Sequence, residues 1–222
     1  MLFLPISLAL FFFLILLLPI LIFLVQIKVI EVAFYRLGLN PTLGVLFFFL
    51  CLIGSTINIP ILKRKVAVVR RDEALEFFRY FFGFTVPEVQ EQVLAINVGG
   101  ALMPALLCLY LLPKAPPLAA LISIAVIALV AKVFSRPVRG IGIALPPFIP
   151  PIASALLALL LVPSNPAPIA YISGVLGTLI GADLLNLPTI RRMMQPGIMS
   201  IGGAGVFDGI YLVGIVAVLI SQ

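Results

Sequence analysis

Two aspartates, Asp183 and Asp208, are the residues of this sequence whose type and setting best suit chemistry. Each lies in an otherwise apolar stretch, Asp183 in residues 181–185 (GADLL) and Asp208 in residues 202–209 (GGAGVFDG). A carboxylate inside a membrane-spanning segment is costly to bury, so it marks a functional site by default. Two carboxyls that approach each other cannot both ionise cheaply, so one acts as general base on a water molecule while the other donates a proton. The pair therefore predicts the acid–base chemistry of aspartic proteases.

The composition of the chain is typical of a membrane protein. Of its 222 residues, 63% are hydrophobic and 10% are charged, whereas soluble domains are about half apolar and a quarter charged. The net charge of +6 comes from cations in short loops between apolar stretches, which the positive-inside rule explains without a nucleic-acid partner. We therefore expect a multi-pass protein of the cell membrane, with the lipid bilayer as its partner and no nucleic acid.

Several common catalytic centres are excluded by the residue types. The chain has no histidine, and Cys51 and Cys108 lie far apart in apolar stretches, where cysteine usually behaves as a small hydrophobe. A zinc site and a Ser/Cys–His nucleophile are therefore excluded. We expect no metal and no cofactor.

Seven apolar stretches have roughly the 20 residues that a membrane span needs. They comprise approximately residues 2–26, 43–62, 93–112, 118–134, 141–162, 169–187 and 198–220. This pattern predicts an all-α polytopic membrane helix bundle, with residues 1–222 forming a single transmembrane domain. The prolines at 146–147 and 150–151 predict a non-helical start of the fifth span, and Pro188 is expected to end the sixth.

The one long polar segment, residues 63–92, is predicted to be cytoplasmic or interfacial. Within it, residues 74–84 place Leu75, Phe78 and Phe82 on one side, which is typical of a helix lying in the membrane interface.

The cations predict the orientation of the spans. With a cytoplasmic N-terminus, eleven Lys and Arg residues fall in cytoplasmic loops and only Lys28, Arg36 and Lys114 fall outside, as the positive-inside rule requires. The sixth and seventh spans are then antiparallel neighbours joined on the cytoplasmic side. Counted from Ile198 along a helix, Asp208 is about 15 Å deep, near the bilayer middle, and Asp183 lies nearer the cytoplasmic end.

Eight further residues are predicted to line a cavity around the aspartates. Glycines allow helices to approach closely in lipid, and Asn186 and Tyr211 each follow an aspartate at i+3, within hydrogen-bonding reach. The alternative role for the two buried amides, Asn58 and Asn97, is to form hydrogen bonds that hold kinked helices together. For the aspartates, helix capping or pairing with Arg191, Arg192 or an amide is the alternative. The eight residues are Asn58, Asn97, Gly100, Pro104, Asn186, Gly203, Gly205 and Tyr211.

Three blocks of the sequence resemble an uncharacterised archaeal and bacterial membrane family, the domain of unknown function 1614. The blocks are residues 97–101 (NVGGA), 181–185 (GADLL) and 202–210 (GGAGVFDGI). The resemblance covers nearly the whole chain and implies membership without an activity.

A looser resemblance is to presenilin-type intramembrane aspartyl proteases, which carry one aspartate on each of two adjacent helices and a Pro-Ala-Leu element. The corresponding positions are Asp183, Asp208 and residues 104–106 (PAL). Ala182 and Phe207 stand before the aspartates where that family has tyrosine and glycine. This resemblance implies a protease whose two aspartates activate water.

Three function classes are compatible with these observations. One is a non-catalytic scaffold in which residues 63–92 bind a partner. The preferred class is an intramembrane aspartyl protease-like hydrolase that cleaves a transmembrane peptide with Asp183 and Asp208. The alternative is an ion- or proton-coupled transporter or channel with the two aspartates as its coupling site, because broken helices and carboxylates at the membrane midplane also build such sites.

Overall fold

The computed structural model describes residues 6–67, 89–138, 142–193, 196–203 and 209–221. These residues are mostly helical, with seven helices and five short strands. The helices are α1 (Ile6–Arg36), α2 (Pro41–Gly54), α3 (Val98–Lys114), α4 (Pro117–Phe134), α5 (Ile149–Leu161), α6 (Pro166–Met193) and α7 (Gly209–Ile220). The strands are β1 (Asn58–Ala67), β2 (Val89–Asn97), β3 (Arg136–Val138), β4 (Gly142–Ala144) and β5 (Gly197–Ile201).

Three of these helices are long and apolar enough to cross a membrane, namely α4, α6 and the part of α1 from Phe11 to Arg36. The other four described helices are apolar but shorter. Their lengths and composition indicate a membrane protein. The chain falls into two compact units, Met1–Leu50 and Cys51–Gln222.

The first unit contains α1 and most of α2. Helix α1 continues past the predicted end of the first span at residue 26, because no proline or glycine occurs between that residue and Gly38, whose φ is +70°. Asn40 then accepts a hydrogen bond from the amide of Thr42, 2.9 Å away, at the start of α2. The rings of Phe34 and Phe47 contact each other at 5.7 Å between centroids.

A three-stranded sheet in the second unit corrects the predicted all-α class and three of the span boundaries. Strand β2 lies in the middle, antiparallel to β1 and parallel to β5. Residues 58–62, 93–97 and 198–201, which were predicted to be transmembrane helix, are therefore strands. The estimate that Asp208 lies about 15 Å deep assumed a helix from Ile198 and does not hold.

Local hydrogen bonds explain why the second span ends early. The hydroxyls of Ser55 and Thr56 donate to the carbonyls of Leu52 and Ile53, at 2.7 Å and 2.8 Å, where α2 ends. Such bonds compete with helix continuation. Pro60 then lies on the edge strand β1 at an irregularity of the register, where its missing N–H costs no interior ladder bond.

Helix α6 is the centre of the second unit. It contacts α4, α5 and α7, and 67% of its most apolar window is buried, against 33% for α4. Contrary to prediction, α6 passes through Pro188 and ends only at Met193. Proline is tolerated there because the α-helical turn that contains it begins at Leu187, after a 3-10 turn, so Pro188 stands at a helix N-terminus.

The sheet and the helices share one apolar core. Leu94 of β2 and Ile201 of β5 form a buried cluster with Ile190 near the end of α6. The sheet is thereby fixed against the half of α6 that carries Asp183.

The proline-rich segment before α5 agrees with the prediction of a non-helical start. Strands β3 and β4 form a short antiparallel pair, and a turn at Pro147 and Phe148 precedes α5. The interfacial helix predicted for residues 74–84 lies outside the described residues.

Candidate functional site

Asp183 lies at the end of a distorted stretch in the middle of α6. The helix is α-helical over Pro166–Ile172 and then forms two π turns, Ser173–Gly177 and Leu179–Asp183. A 3-10 turn, Leu184–Asn186, follows directly. Turns of the π type are rare and occur frequently at functional sites. The irregular backbone therefore coincides with the predicted catalytic carboxylate.

The carboxylate of Asp183 is bound to the chain that follows β5. Its Oδ2 accepts a hydrogen bond from the backbone N–H of Gly202 at 3.0 Å. A carboxylate in partly buried surroundings needs such a donor to offset its lost hydration. The bond links α6 to the residues that lead toward Asp208.

Gly202 meets two requirements that only glycine satisfies. Its φ is +79°, and the φ of the next residue, Gly203, is +150°. A Cβ at Gly202 would also come within 2.9 Å of the backbone of Ala101. A side chain at this position would displace the Gly202 N–H group, which donates the hydrogen bond to Asp183.

The second π turn brings Thr178 and Asp183 to the same face of α6. In a π turn the hydrogen bonds join residues five apart, so positions 178 and 183 lie approximately one above the other. In an α-helix with 3.6 residues per turn, positions five apart point in directions about 140° apart. Both residues line the same cavity.

This cavity has a volume of about 570 Å³, within the range of pockets that bind small ligands. Its lining is mainly apolar and comes from β4, the prolines before and at the start of α5, the middle of α6, and α7. Asp183, Thr178 and Ser200 are among the residues that line it, and Gly203 and Ile210, which also line it, flank the undescribed residues 204–208. Of the eight predicted site residues that the structure describes, Asp183 and Gly203 line it.

A second polar group lies at one end of the sheet and joins Asn58, Asn97, Gly100 and Ser200. The Nδ2 of Asn97 donates to the Ser55 carbonyl at 2.6 Å and to Oδ1 of Asn58 at 3.2 Å. The Asn97 Oδ1 accepts from the Gly100 amide at 2.7 Å, which caps the start of α3. The Ser200 hydroxyl donates to Asn58 at 2.6 Å. Ser200 therefore links this group to the cavity.

The amide of Asn186 fixes the turn after Asp183. Its Nδ2 donates to the Ala182 carbonyl at 2.8 Å and to the Ser135 hydroxyl at 2.7 Å. Lys132 of α4 donates to Asn186 Oδ1 at 2.5 Å and to the Leu185 carbonyl at 3.0 Å. The expected hydrogen bond from Asn186 to Asp183 is replaced by these contacts.

The remaining predicted site residues are placed as follows. Pro104 is fully buried near the start of α3, and Tyr211 is 1% exposed on α7. Asp208 and Gly205 lie outside the described residues. Among the residues that the structure does describe, no three His, Cys, Asp or Glu side chains come together as metal ligands would.

Thr178, Ser200 and Lys132 are site residues that the sequence analysis missed. Thr178 stands five residues before Asp183. This spacing places two residues on the same face of a helix only where the helix forms a π turn, which the sequence did not reveal. Ser200 lies in a predicted helix that is a strand in the structure, and Lys132 was considered only as a loop charge.

Comparisons with known proteins identify a family without an activity. The sequence pattern of the family described as "Protein of unknown function (DUF1614)" matches residues 52–220. No curated protein and no solved structure matches the chain. The resemblance to presenilin-type proteases finds no support among these matches. Since the match covers well over half of the chain, the protein belongs to the DUF1614 family of proteins of unknown function.

Proposed function

We propose that the protein is an intramembrane aspartyl hydrolase that cleaves a peptide bond with Asp183 and Asp208. One carboxylate takes a proton from water, whose oxygen attacks the scissile carbonyl carbon. The other, protonated carboxyl gives its proton to the carbonyl oxygen, which forms a tetrahedral diol. When this diol collapses, the C–N bond breaks, the amine leaves with a proton from one carboxyl, and a new carboxyl group remains on the other product.

One observation carries the proposal: Asp183 and both flanks of the Asp208 segment meet at a single cavity. Asp183 Oδ2 accepts the Gly202 amide, and Gly203 and Ile210 line the cavity together with Asp183. Asp208 stands two residues before Ile210 in the sequence, and two residues of chain span about 7 Å at most. This short distance along the chain supports the proposal that Asp208 acts at the cavity that Asp183 lines.

The proposal includes a location in the cell membrane with seven spans and a cytoplasmic N-terminus. The distribution of cations supports this orientation. The cavity is largely apolar, so the substrate is taken to be a membrane-embedded polypeptide segment rather than a polar peptide from solution.

The polar contacts favour hydrolysis over ion coupling. A cation site would use the oxygens of Asn58 and Asn97 beside the aspartates. In the described structure the Asn97 side-chain oxygen accepts a hydrogen bond from the Gly100 amide. The Asn58 side-chain oxygen accepts hydrogen bonds from Asn97 and from Ser200. These amides therefore hold the end of the sheet together.

Cleavage of a fluorescent transmembrane peptide tests the proposal. Detergent-solubilised protein is incubated with an apolar, membrane-spanning peptide that carries a dye at one end and a quencher at the other, and the rise in fluorescence is measured. We expect Asp183→Asn and Asp208→Asn each to lower the rate by about 100-fold or more, since each removes a proton-transfer group. Glu91→Gln, which changes an exposed carboxylate on β2, serves as the control and should retain the wild-type rate.

Two results would contradict the hydrolase. One is cleavage at the wild-type rate by both aspartate variants. The other is an absence of cleavage by the wild type, combined with a proton or sodium flux in liposomes that Asp183→Asn abolishes. The second result would establish the transporter alternative.

A further inference from the structure

Six exposed cations of the second unit come from three separate segments of the chain. They are Lys63, Arg64 and Lys65 on β1, Arg136 at the start of β3, and Arg191 and Arg192 in the last turn of α6. Within the described part of the chain, none of these cations forms an ion pair with a carboxylate. Glu91 stands opposite Lys65 in the register of β1 and β2, but the two side chains form no ion pair either. The positive charges are therefore available to a partner.

The sheet brings the cations of β1 and of α6 toward one another. Across the three strands, Arg64, Gln92 and Gly197 occupy neighbouring positions. Because neighbouring strands are about 4.8 Å apart, the Cα atoms of Arg64 and Gly197 are separated by about 10 Å. Arg192 stands five residues before Gly197 in the sequence, and five residues of chain span at most about 18 Å. The two groups of cations therefore lie at the same end of the sheet.

The apolar core links Arg136 to the same region. Ile190, directly before Arg191, belongs to the buried cluster that joins the sheet to α6, and Ile143 packs against that cluster. Arg136 lies on β3, which pairs with the strand that carries Ile143. The three cationic segments therefore surround one core, and we call their six cations the basic surface.

Exposed apolar side chains precede the cations on all three segments. They are Ile59, Ile61 and Leu62 on β1, Val133 and Phe134 at the end of α4, and Leu184 and Leu185 in α6. A surface that faces an acidic protein in solution needs no such residues. A membrane boundary has this order, because apolar side chains enter the acyl chains while Lys and Arg reach the headgroups.

The edge position of β1 indicates the depth at which the basic surface lies. Among the described strands, β1 pairs with β2 and forms one edge of the sheet. An open sheet edge does not occur in the hydrocarbon region of a bilayer, because its N–H and C=O groups would find no partner there. At the interface, water and headgroups supply those partners. The cations of β1 therefore lie at the level of the lipid phosphates.

We propose that the basic surface binds the phosphate groups of anionic phospholipids in the cytoplasmic leaflet. It uses the membrane location and orientation proposed above and is independent of peptide cleavage, since none of its six cations lines the cavity. The positive-inside rule accounts for the side of the membrane on which cations lie, but it does not require three segments to converge. Clusters of Lys and Arg beside a membrane attract anionic lipids, and arginine binds phosphate oxygens in pairs.

Native mass spectrometry, which counts bound lipids, tests the basic surface. Detergent-solubilised protein is mixed with equal amounts of phosphatidylglycerol and phosphatidylcholine that have the same acyl chains. The wild type should bind phosphatidylglycerol in preference, because both lipids carry a phosphate but only phosphatidylglycerol has a net negative charge. In the β1 variant, Lys63→Gln/Arg64→Gln/Lys65→Gln, the affinity for phosphatidylglycerol should fall by about 10-fold or more, and binding of phosphatidylcholine should not change.

A second variant tests the convergence of the three segments. In the arginine variant, Arg136→Gln/Arg191→Gln/Arg192→Gln, the preference for phosphatidylglycerol should fall in the same way, although β1 is intact. This variant also carries the test if the β1 variant does not fold, as judged by its thermal unfolding. A preference that depends on β1 alone would overturn the shared surface.

Two controls separate binding at this surface from a general effect of charge. Lys28→Gln/Arg36→Gln/Lys114→Gln removes the same number of cations from α1 and α3, on the side predicted to face outward, and should keep the wild-type preference. Lys63→Arg/Lys65→Arg keeps the charge of β1 and should also keep it. In the wild type, a rise in ammonium acetate from about 0.1 M to about 0.5 M should weaken the preference, because salt screens exposed charges.

The remaining results decide between lipid and other anionic partners. Equal binding of the two lipids by the wild type, or equal losses in the β1 variant and in the variant of α1 and α3, overturns the proposal. Displacement of phosphatidylglycerol by excess inorganic phosphate would assign the surface to a free anion, and its displacement by a polyglutamate peptide would assign it to an acidic protein. Both the β1 variant and the arginine variant should cleave the transmembrane peptide at the wild-type rate, so failure of the hydrolase test leaves the lipid count unaffected.

Discussion

Asp183 is held by a backbone amide rather than by a cation. The sequence left open a pairing of Asp183 with Arg191 or Arg192, but its described hydrogen bond comes from Gly202. An ionised carboxylate has about four acceptor positions on its two oxygens, and this bond occupies one of them. The contact orients the carboxylate without neutralising it, which is compatible with the proposed proton transfer.

Replacement of Gly202 by alanine should damage both the fold and the site. The added Cβ meets the backbone of Ala101, and the positive φ of residue 202 disfavours a side chain. We expect a loss of about 2–4 kcal/mol in the free energy of unfolding, from strain and overpacking together. Cleavage of the transmembrane peptide should fall by about 10-fold or more, because the hydrogen bond to Asp183 is displaced. Thermal unfolding in detergent and the cleavage assay measure the two effects.

Gly38 offers a control for backbone strain alone. Its φ of +70° is close to that of Gly202, but a Cβ there meets nothing within 4 Å. Gly38→Ala should cost about 1 kcal/mol and leave cleavage unchanged. Equal effects of the two substitutions on stability and activity would show that Gly202 has no special role in the site.

At the scale of elements, hydropathy located the helices but not the strands. Residues 93–97 and 198–201 are as apolar as the helices that follow them, so a window of about 20 residues merges strand and helix into one span. Their partners are distant in sequence, since Ala95 pairs with Ser200, and no local pattern reveals this. The non-helical start of the fifth span could be predicted from its proline pairs, because proline restricts its own backbone and interrupts a helix.

The residues of the candidate site were likewise predictable only where a local sequence pattern revealed them. Asp183 was identified because a carboxylate stands out in an apolar stretch. Thr178 and Asp183 share a face of α6 only because the helix forms a π turn between them. Sequence spacing alone assumes a regular α-helix with 3.6 residues per turn, so it places the two residues on different faces.

The contact between α4 and α6 through Lys132 should contribute measurably to stability. Lys132 donates to the Leu185 carbonyl and to Asn186, across the turn that follows Asp183. Hydrogen bonds from a charged donor contribute more than neutral ones, so we expect Lys132→Met to lower the free energy of unfolding by about 1.5–3 kcal/mol. Thermal or denaturant unfolding in detergent measures this change.

Two further variants check the origin of the effect. Lys114 donates to the exposed Tyr110 hydroxyl at 3.1 Å within α3, so Lys114→Met should change stability by less than about 0.5 kcal/mol. In a double-mutant cycle, Lys132→Met and Asn186→Leu should show a coupling of about 1 kcal/mol. Additive effects of these two substitutions would contradict the proposed link.

At the scale of the whole second unit, the cavity lies where interrupted elements meet. The π turns of α6, the proline segment before α5 and the end of β5 all contribute to its wall. Non-helical backbone at membrane depth is tolerated only when it is buried in protein or lines a cavity. These irregular elements, which belong to three different predicted spans, therefore line one cavity.

The orientation of the spans can be tested with cysteine labelling, because the native cysteines are well hidden. Cys51 and Cys108 are 1% and 0% exposed, so a thiol reagent should not reach them in the folded protein. A cysteine introduced at an exposed position therefore reports that position alone, without removal of the native cysteines.

Ser164→Cys and Arg192→Cys place such a cysteine on the two predicted sides of the membrane. Both positions are exposed, Ser164 between α5 and α6 and Arg192 near the end of α6. With a cytoplasmic N-terminus and seven spans, a membrane-impermeant maleimide should label Ser164→Cys in intact cells and Arg192→Cys only after lysis. The unsubstituted protein, which should stay unlabelled in both conditions, is the control. The reverse labelling pattern would invert the orientation and place Asp183 toward the outer face. Equal labelling of both positions in intact cells would contradict a membrane crossing by α6.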